Sequence, residues 1–352
     1  MMKKKMLKKV GIVGHFAVGK DFYDGQTVKT RALFKALQNH LGENHILKVD
    51  TLGGLKYIIK ILIKTFTLFP KCQNIIMLPA QNGLLIFSFL FRICNVIYRR
   101  KLHYSVIGGW LPEYVQTHKF ADRALRKFDG IYVETTTMKT ALESQGYTNV
   151  SIVPNFKSID ILNPSELISS HSKPYSFCTF SRVMKEKGIE DAIDAIKKIN
   201  TRKGEPLCSL DIYGKIDDSY KERFDALQKE FPEYIRYCGC VDPNKSVDVL
   251  KDYYALLFPT HFKTEGIPGT IIDALCSGVI TIANRWNSAD DVVLHNQTGI
   301  IYPTNEFSDL YESILWTVEN EEKVLIMKND CLLFAQKFSS ENAMKVLCDK
   351  LD

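Results

Sequence analysis

A chain of 352 residues, 45% hydrophobic and 24% charged, is ordinary globular material. At roughly 100 to 200 residues per domain it is long enough for two cores, which excludes disordered and fibrous architectures. Nine cysteines, scattered singly apart from Cys238 and Cys240, exclude a disulfide framework and a zinc site and read as reduced and mostly buried. The net charge of +6 hides a division: residues 1–155 carry 23 Lys and Arg against 9 Asp and Glu, or +14, and residues 156–352 carry 23 against 31, or −8. So basic a first half calls for an anionic partner, with lipid, nucleic acid and a phosphorylated acceptor as candidates.

The opening residues 1–9 are lysine-rich and lack the apolar core and cleavage site of a signal peptide, which predicts a cytoplasmic chain. Residues 10–13 form a short β-branched run closing on Gly14. A polar loop to Gly25 then precedes a helical pattern over 27–41, with Val28, Leu33, Leu37 and Leu41 at spaced positions. Short buried strands are expected at 75–78, 104–107, 130–133 and 150–153, separated by helix-length segments. Residues 55–69 place Lys56, Lys60 and Lys64 at four-residue spacing, a basic stripe on a helix otherwise carrying Leu55, Ile58, Ile59, Leu62, Ile63 and Phe66. Residues 83–91 are apolar apart from Ser88 until Arg92 interrupts, short of the roughly 20 residues that a spanning helix needs. Two readings stand for these helices: packing on the sheet with lysines in water, or peripheral contact with anionic lipid.

A polar stretch containing Asn163, Pro164 and residues 169–174 reads as a domain linker. Beyond it the alternation restarts, with strands at 176–180, 209–213, 235–238, 255–258, 279–283 and 299–302 and helices at 189–199, 220–231 and 270–276. The fold class is α/β: two Rossmann-like doubly wound parallel-sheet domains, 1–165 and 173–352, with room for the last helix to pack back on the first. Ligands of such sheets bind at the carboxyl ends of the strands, so the site is expected in an interdomain cleft.

After the strand at 176–180 stands Ser181-Arg182-Val183-Met184-Lys185-Glu186-Lys187-Gly188. Arg182 offers a planar fork and Lys187 a mobile point charge, a pair suited to a diphosphate leaving group; solvated surface cations are the bland alternative. After the strand at 255–258 the chain continues from Pro259 through Glu265-Gly266-Ile267-Pro268-Gly269-Thr270 into a helix carrying Asp273. Pro268 suits a first helical turn, and Gly266 and Gly269 let backbone approach a ligand. Amides at that helix start attract phosphate or sugar oxygens. Glu265 is a natural acceptor for sugar hydroxyls and Asp273 for a ribose, the alternative being a helix cap followed by an exposed Asp.

Together these segments resemble the retaining glycosyltransferases of family 4, group 1 enzymes with the two-domain GT-B fold. The likeness continues through Leu210-Asp211-Ile212-Tyr213-Gly214, Tyr237-Cys238-Gly239-Cys240-Val241, Ala274-Leu275-Cys276-Ser277-Gly278 and Gln297-Thr298-Gly299-Ile300, in the expected order over most of residues 176–305. It implies that Arg182, Lys187 and Glu265 are the catalytic set on the donor diphosphate. Gly266, Ile267, Pro268, Gly269, Thr270 and Asp273 line the donor, Gly25 approaches it from the first domain, and Val241 lies near the nucleobase. The family's second Glu, eight positions after the first, is here the shorter Asp273. On the acceptor side the turn Asp24-Gly25-Gln26 offers Asp24 and Gln26 to sugar hydroxyls, unless Asp24 merely caps the helix. Where many members carry a histidine, this chain has Gly108-Gly109-Trp110, so amides of Gly108 and Gly109 and a stacking Trp110 take the role; His103 and His118 flank the segment and cannot substitute. Gly14 to Lys20 lacks the spacing of a dinucleotide fingerprint or a P-loop.

The resemblance thus implies retaining transfer of a hexosyl group from a nucleoside diphosphate sugar, UDP-sugar foremost, to a hydroxyl of a lipid-linked saccharide in cell-surface polysaccharide assembly. No metal or other cofactor and no nucleic acid is expected, and the place is the cytoplasm or the inner membrane face. Two rivals stand beside it. A GT-B nucleotide-sugar epimerase consumes donor without acceptor, and a non-enzymatic polyanion binder explains the basic half but has no use for Glu265 or Asp273.

Overall fold

In the computed structural model, residues 8–19, 25–158, 160–168, 170–262, 265–303 and 307–351 are described, apart from the side chains of residues 54, 55, 307 and 308. Asp24, Lys263 and Thr264 lie outside the described residues. Runs of β-branched and apolar residues bounded by glycine and polar turns form two six-stranded parallel sheets. The chain divides into one unit of residues 1–157 with 340–352, and a second of residues 158–339.

The first unit contains β1 (Lys8–Gly14), α1 (Gly25–Leu41), β2 (Ile46–Asp50), α2 (Ile58–Phe66), β3 (Cys72–Met77), α3 (Gln81–Tyr98), β4 (Lys101–Ser105), α4 (Leu111–Thr117), α5 (Lys119–Leu125), β5 (Gly130–Val133), α6 (Thr136–Ser144) and β6 (Val150–Ile152). The second unit contains β7 (Tyr175–Phe180), α7 (Ile189–Lys203), β8 (Cys208–Tyr213), α8 (Lys221–Gln228), β9 (Ile235–Gly239), α9 (Ser246–Leu250), β10 (Ala255–Phe258), α10 (Gly269–Cys276), β11 (Ile280–Asn284), β12 (Gly299–Tyr302), α11 (Phe307–Glu319) and α12 (Glu321–Ala335). The last helix, α13 (Ser340–Leu351), belongs to the first unit. There Ala343, Met344, Leu347 and Leu351 share a core with Leu33 and Leu37 of α1 and with Val10, Ile12 and Ile76 of the sheet. A separate core lies between the sheet and α3 to α6, around Phe69, Phe91, Leu102 and Val133. Helices cover the sheet on both sides, which is why its central strands are near-continuous apolar runs.

Strand order differs between the sheets: β2-β1-β3-β4-β5-β6 in the first, β12-β11-β10-β7-β8-β9 in the second. The second is the Rossmann order, winding outward in both directions from the β7/β10 pair, and that pair is its topological switch point. Three strands depart from the sequence expectation. β2 has no counterpart there, β3 begins three residues early at Cys72, and β4 begins at Lys101 and ends at Ser105, so that His103 lies inside the strand and is buried. Its polarity is satisfied laterally: Nε2 faces Asn74 Oδ1 at 3.1 Å and Nδ1 faces the Tyr132 hydroxyl at 3.0 Å. Asn74 Nδ2 donates to Lys9 O, leaving Oδ1 to accept from the ring. Burial pushes the His103 pKa down to about 4, so the ring is neutral and structural.

The loop after β1 is closed by a carboxylate from the neighbouring strand end. Asp50, paired with Gly14 in register, accepts the N–H groups of Phe16 (3.0 Å), Ala17 (3.3 Å), Val18 (3.0 Å) and Leu52 (3.0 Å). Arg31 holds the same loop through the carbonyls of Phe16 and Ala17. Three amides of the loop, those of Phe16, Ala17 and Val18, are therefore already occupied, a physical reason beyond spacing why residues 14–19 do not cradle a pyrophosphate as a dinucleotide-binding loop does. Burial alone would raise the Asp50 pKa, but the four N–H groups outweigh it and hold the carboxyl below its ordinary value. A depressed folded-state pKa gives stability that is complete above the unfolded value near 3.9 and lost as pH falls through the folded value. Asp50→Asn should accordingly lower the urea midpoint of the first unit at pH 7, and the gap from the parent should close below about pH 4; an equal gap at both pH values would contradict the assignment.

Candidate active site

The switch point of the second sheet places the loops after β7 and β10 side by side. At Gly188, φ is +67°, and a Cβ would lie 1.9 Å from the Pro259 carbonyl oxygen, so only glycine lets the two backbones meet. The His261 N–H donates to Glu186 O at 2.8 Å, and the His261 ring meets Asp191 of α7 at 2.7 Å. Across this seam Lys187 and Glu265 form an ion pair, their side chains only 15% and 17% exposed. The Lys187 ammonium also stands 5.3 Å and 5.0 Å from the ring centres of Phe258 and Phe262, which screen it from water.

Glu265 is positioned from below. The Thr260 hydroxyl approaches its carboxylate at 3.4 Å. Asn284, at the end of β11, donates to Thr260 O at 2.9 Å, and Trp286 Nε1 donates to Gly266 O at 3.3 Å. The segment 265–269 is thus fixed by the strand beside it as well as by its own helix. Gly188, Thr260, Asn284 and Trp286 escaped sequence reasoning. The one available signal was Asn284-Arg285-Trp286 following a strand, the position where these sheets place site residues.

Arg182 occupies the other flank. It follows β7 at a point where Val183 bridges to Ile216, and its guanidinium lies 3.7 Å from Asp217 while remaining 54% exposed. The Ser219 hydroxyl and N–H, at 2.6 Å and 3.1 Å, hold the Asp217 carboxyl below the usual range, with Arg182 adding to the effect. Both expected diphosphate-binding cations are therefore held against carboxylates in this structure.

The remaining donor residues are distributed unevenly. Pro268 sits at the N-cap of α10 rather than within its first turn, and Gly269 and Thr270 open the helix. The Thr270 hydroxyl is buried and has no hydrogen-bond partner among the described residues. Ile267 is buried beside Gly266. Asp273 is 2% exposed on the inner side of α10, which overturns the alternative of a surface Asp. Val241 lies two residues beyond β9, half-buried. Cys238 and Cys240 are exposed rather than structural, and Gly239 with φ +76° ends the strand between them. Among the described residues no group of three His, Cys, Asp or Glu is arranged to hold a metal ion.

In the first unit Gly25 and the described acceptor-side residues, Gln26, Gly108, Gly109 and Trp110, lie beyond the carboxyl ends of β1 and β4. Gly25 opens α1 with open space where a side chain would stand. Gln26 Nε2 donates to Leu78 O beyond β3 at 3.4 Å. Gly108 has φ +78°, and Gly109 is half-buried. Trp110 is turned back on its own loop: Nε1 donates to Ile107 O at 2.8 Å, and the ring stands T-shaped to that of Tyr114 with centres 5.2 Å apart. His118 stacks on Tyr114 at 3.7 Å and bonds Thr117, a local structural role. The same end of the sheet holds a buried pair not anticipated from sequence, Lys29 to Glu134 at 2.5 Å, with Lys29 also donating to Val106 O at 2.7 Å.

Residues 166–330 match the family described as glycosyl transferases group 1. A curated relative, an uncharacterized glycosyltransferase of Methanocaldococcus jannaschii, is 25% identical over 149 residues, 41% of this chain; the chain spans only 36% of the length of that relative. Among solved structures, the Anabaena protein HepE in complex with UDP superposes with a TM-score of 0.73 at 15% identity, covering 97% of this chain and 99% of that one. Sucrose-phosphate synthase from Thermosynechococcus elongatus superposes with a TM-score of 0.74 at 13% identity, covering 97% of each. The fold is GT-B, two Rossmann-like domains. The segment that matches this family contains the whole Lys187–Glu265 seam.

Proposed function

We propose that the protein is a retaining, metal-independent glycosyltransferase that moves a hexosyl group from a UDP-sugar to a saccharide hydroxyl. The observation carrying this reading is the Lys187–Glu265 pair at the switch point of the sheet, within the segment that matches group 1, with Arg182 on its flank. UDP is the favoured nucleotide because HepE, of the same fold, was solved with UDP and with UDP-glucose.

A donor diphosphate competes with Glu265 for Lys187 and with Asp217 for Arg182. Lys187 and Arg182 then carry the negative charge that grows on the diphosphate as the bond from C1 to the phosphate oxygen breaks and its electron pair leaves. Released from Lys187, the Glu265 carboxylate accepts hydrogen bonds from hydroxyls of the transferred sugar. The acceptor oxygen bonds to C1 on the face the diphosphate departs from, and its proton passes to the leaving phosphate oxygen, so no protein base is required. A lipid-linked saccharide in cell-surface polysaccharide assembly is the acceptor we favour, consistent with the +14 balance of residues 1–155.

The test is a thermal-shift panel of UDP, GDP and ADP sugars, followed by assignment of the product anomer with the stabilising donor. A UDP-sugar at a hundredfold excess over Kd should stabilise the donor-binding unit by about 2.7 kcal/mol, and the product should keep the donor's anomeric configuration. An inverted product would overturn retention, and isomerised donor formed without acceptor would transfer the site to epimerase chemistry.

A further inference from the structure

Large exposed apolar side chains are concentrated on one part of the molecule. Ten of the fifteen among the described residues lie between Tyr57 and Phe120, on α2 with the turn before it, α3 and α5. On α3, Leu85, Phe89, Ile93, Val96 and Ile97 recur at helical spacing on the outer face, and between Leu85 and Ile97 the one other exposed position is Arg92. Arg92 interrupts the apolar run in the sequence, yet α3 continues to Tyr98 because apolar residues resume beyond it. Its length and composition would suffice to cross a membrane, but Leu84, Phe87, Phe91 and Cys94 are committed to the core of the first unit. It is a surface helix with an apolar outer face.

That face extends sideways. Ile59, Ile63 and Phe66 are exposed on α2 with Lys60 and Lys64 beside them, and Phe66 meets Tyr98 of α3 at 5.9 Å. On the other flank Phe89 meets Phe120 of α5 at 5.6 Å. Charge follows one sign: between Asp50 and Glu113 the sequence has no acidic residue and eight Lys or Arg.

We propose that the outer faces of α2, α3 and α5 are a docking surface for an anionic lipid bilayer, with the α3 ridge at the boundary between headgroups and acyl chains and Lys60, Lys64 and Arg92 reaching lipid phosphates. An apolar ridge flanked by flexible cations is the pattern of a helix lying in a membrane interface. Protein interfaces are depleted in lysine at their core, and two copies of a face whose α2 and α3 carry basic but no acidic residues repel one another. This surface owes nothing to the donor chemistry, so either reading survives failure of the other.

Sedimentation of the full chain with vesicles distinguishes the possibilities. Binding is expected to phosphatidylcholine vesicles containing phosphatidylglycerol, to weaken with salt, and to fall more than about tenfold in Lys60→Glu/Lys64→Glu. Ile93→Ser/Ile97→Ser, both at solvent-facing positions, should lower it by about tenfold or more with an unchanged melting profile. Equal binding to phosphatidylcholine alone, no binding to either vesicle, or retention of full binding in Ile93→Ser/Ile97→Ser would overturn the proposal. So would a dimer in sedimentation velocity that the same two substitutions dissolve, which would make the face a contact between copies of the chain.

Discussion

Changing Lys187 to alanine should lower turnover by about 100- to 1000-fold, the loss typical of removing one fixed charge from a developing oxyanion. The side chain is 15% exposed and shielded by Phe258 and Phe262, so its charge acts through little solvent. The fold should tolerate the change. Glu265 keeps the Thr260 hydroxyl and its loop keeps the anchors from Asn284 and Trp286. The discriminating measurement is kcat and KM together in a variant whose melting temperature stays near that of the parent. A drop in kcat places Lys187 on the transition state, whereas a rise in KM alone would reduce it to a ground-state contact. Lys187→Arg should recover part of the loss, because charge returns without the same reach. Near-normal turnover in Lys187→Ala would remove the residue from the mechanism.

Breaking the Lys29–Glu134 pair should be the most damaging single change in the first unit. Both side chains are about 95% buried, at 3% and 5% exposure, and the ammonium has Val106 O as a further partner. Glu134→Leu leaves a buried ammonium without its counter-charge, and loss of one partner from such a pair costs about 3–5 kcal/mol. The double change Lys29→Met/Glu134→Leu removes both charges and should restore most of that stability, since well-packed apolar replacements for buried pairs are often neutral or better. Two units need not unfold in one step, so hydrogen exchange of β4 and β5 amides is the suitable readout. If Glu134→Leu matched the parent, the pair would have no structural weight.

The contrast between these two pairs shows what a sequence discloses. Strands β10 and β12 carry their full extent in apolar runs between turn residues, and their ends coincide with the expected ones. β2 hides because Ile46-Leu47-Lys48-Val49-Asp50 mixes apolar and charged residues too briefly to display a period. β4 was displaced because His103 looks like a strand boundary until Asn74 and Tyr132 are seen to satisfy it from neighbouring strands. Charged residues are ordinarily read as solvated, so nothing marked Lys29 and Glu134 as a buried pair. Lys187 and Glu265 lie 78 positions apart, and their meeting depends on β7 and β10 being adjacent, which follows from sheet order and not from either local segment. Resemblance to a family supplied that adjacency in advance. It could not supply the clasp of each cation by a carboxylate, nor the turn of Trp110 onto Tyr114.

The return of α13 to the first unit has a temporal consequence. All of the second unit, residues 158–339, is interposed between two parts of the first. On the ribosome the interposed unit is complete as soon as its own residues emerge, while the core containing Leu33 and Leu37 waits for Ala343, Met344 and Leu347. The first unit, begun earlier, is therefore finished later, and until residues 340–351 arrive its α1 face stays open to water and to chaperones.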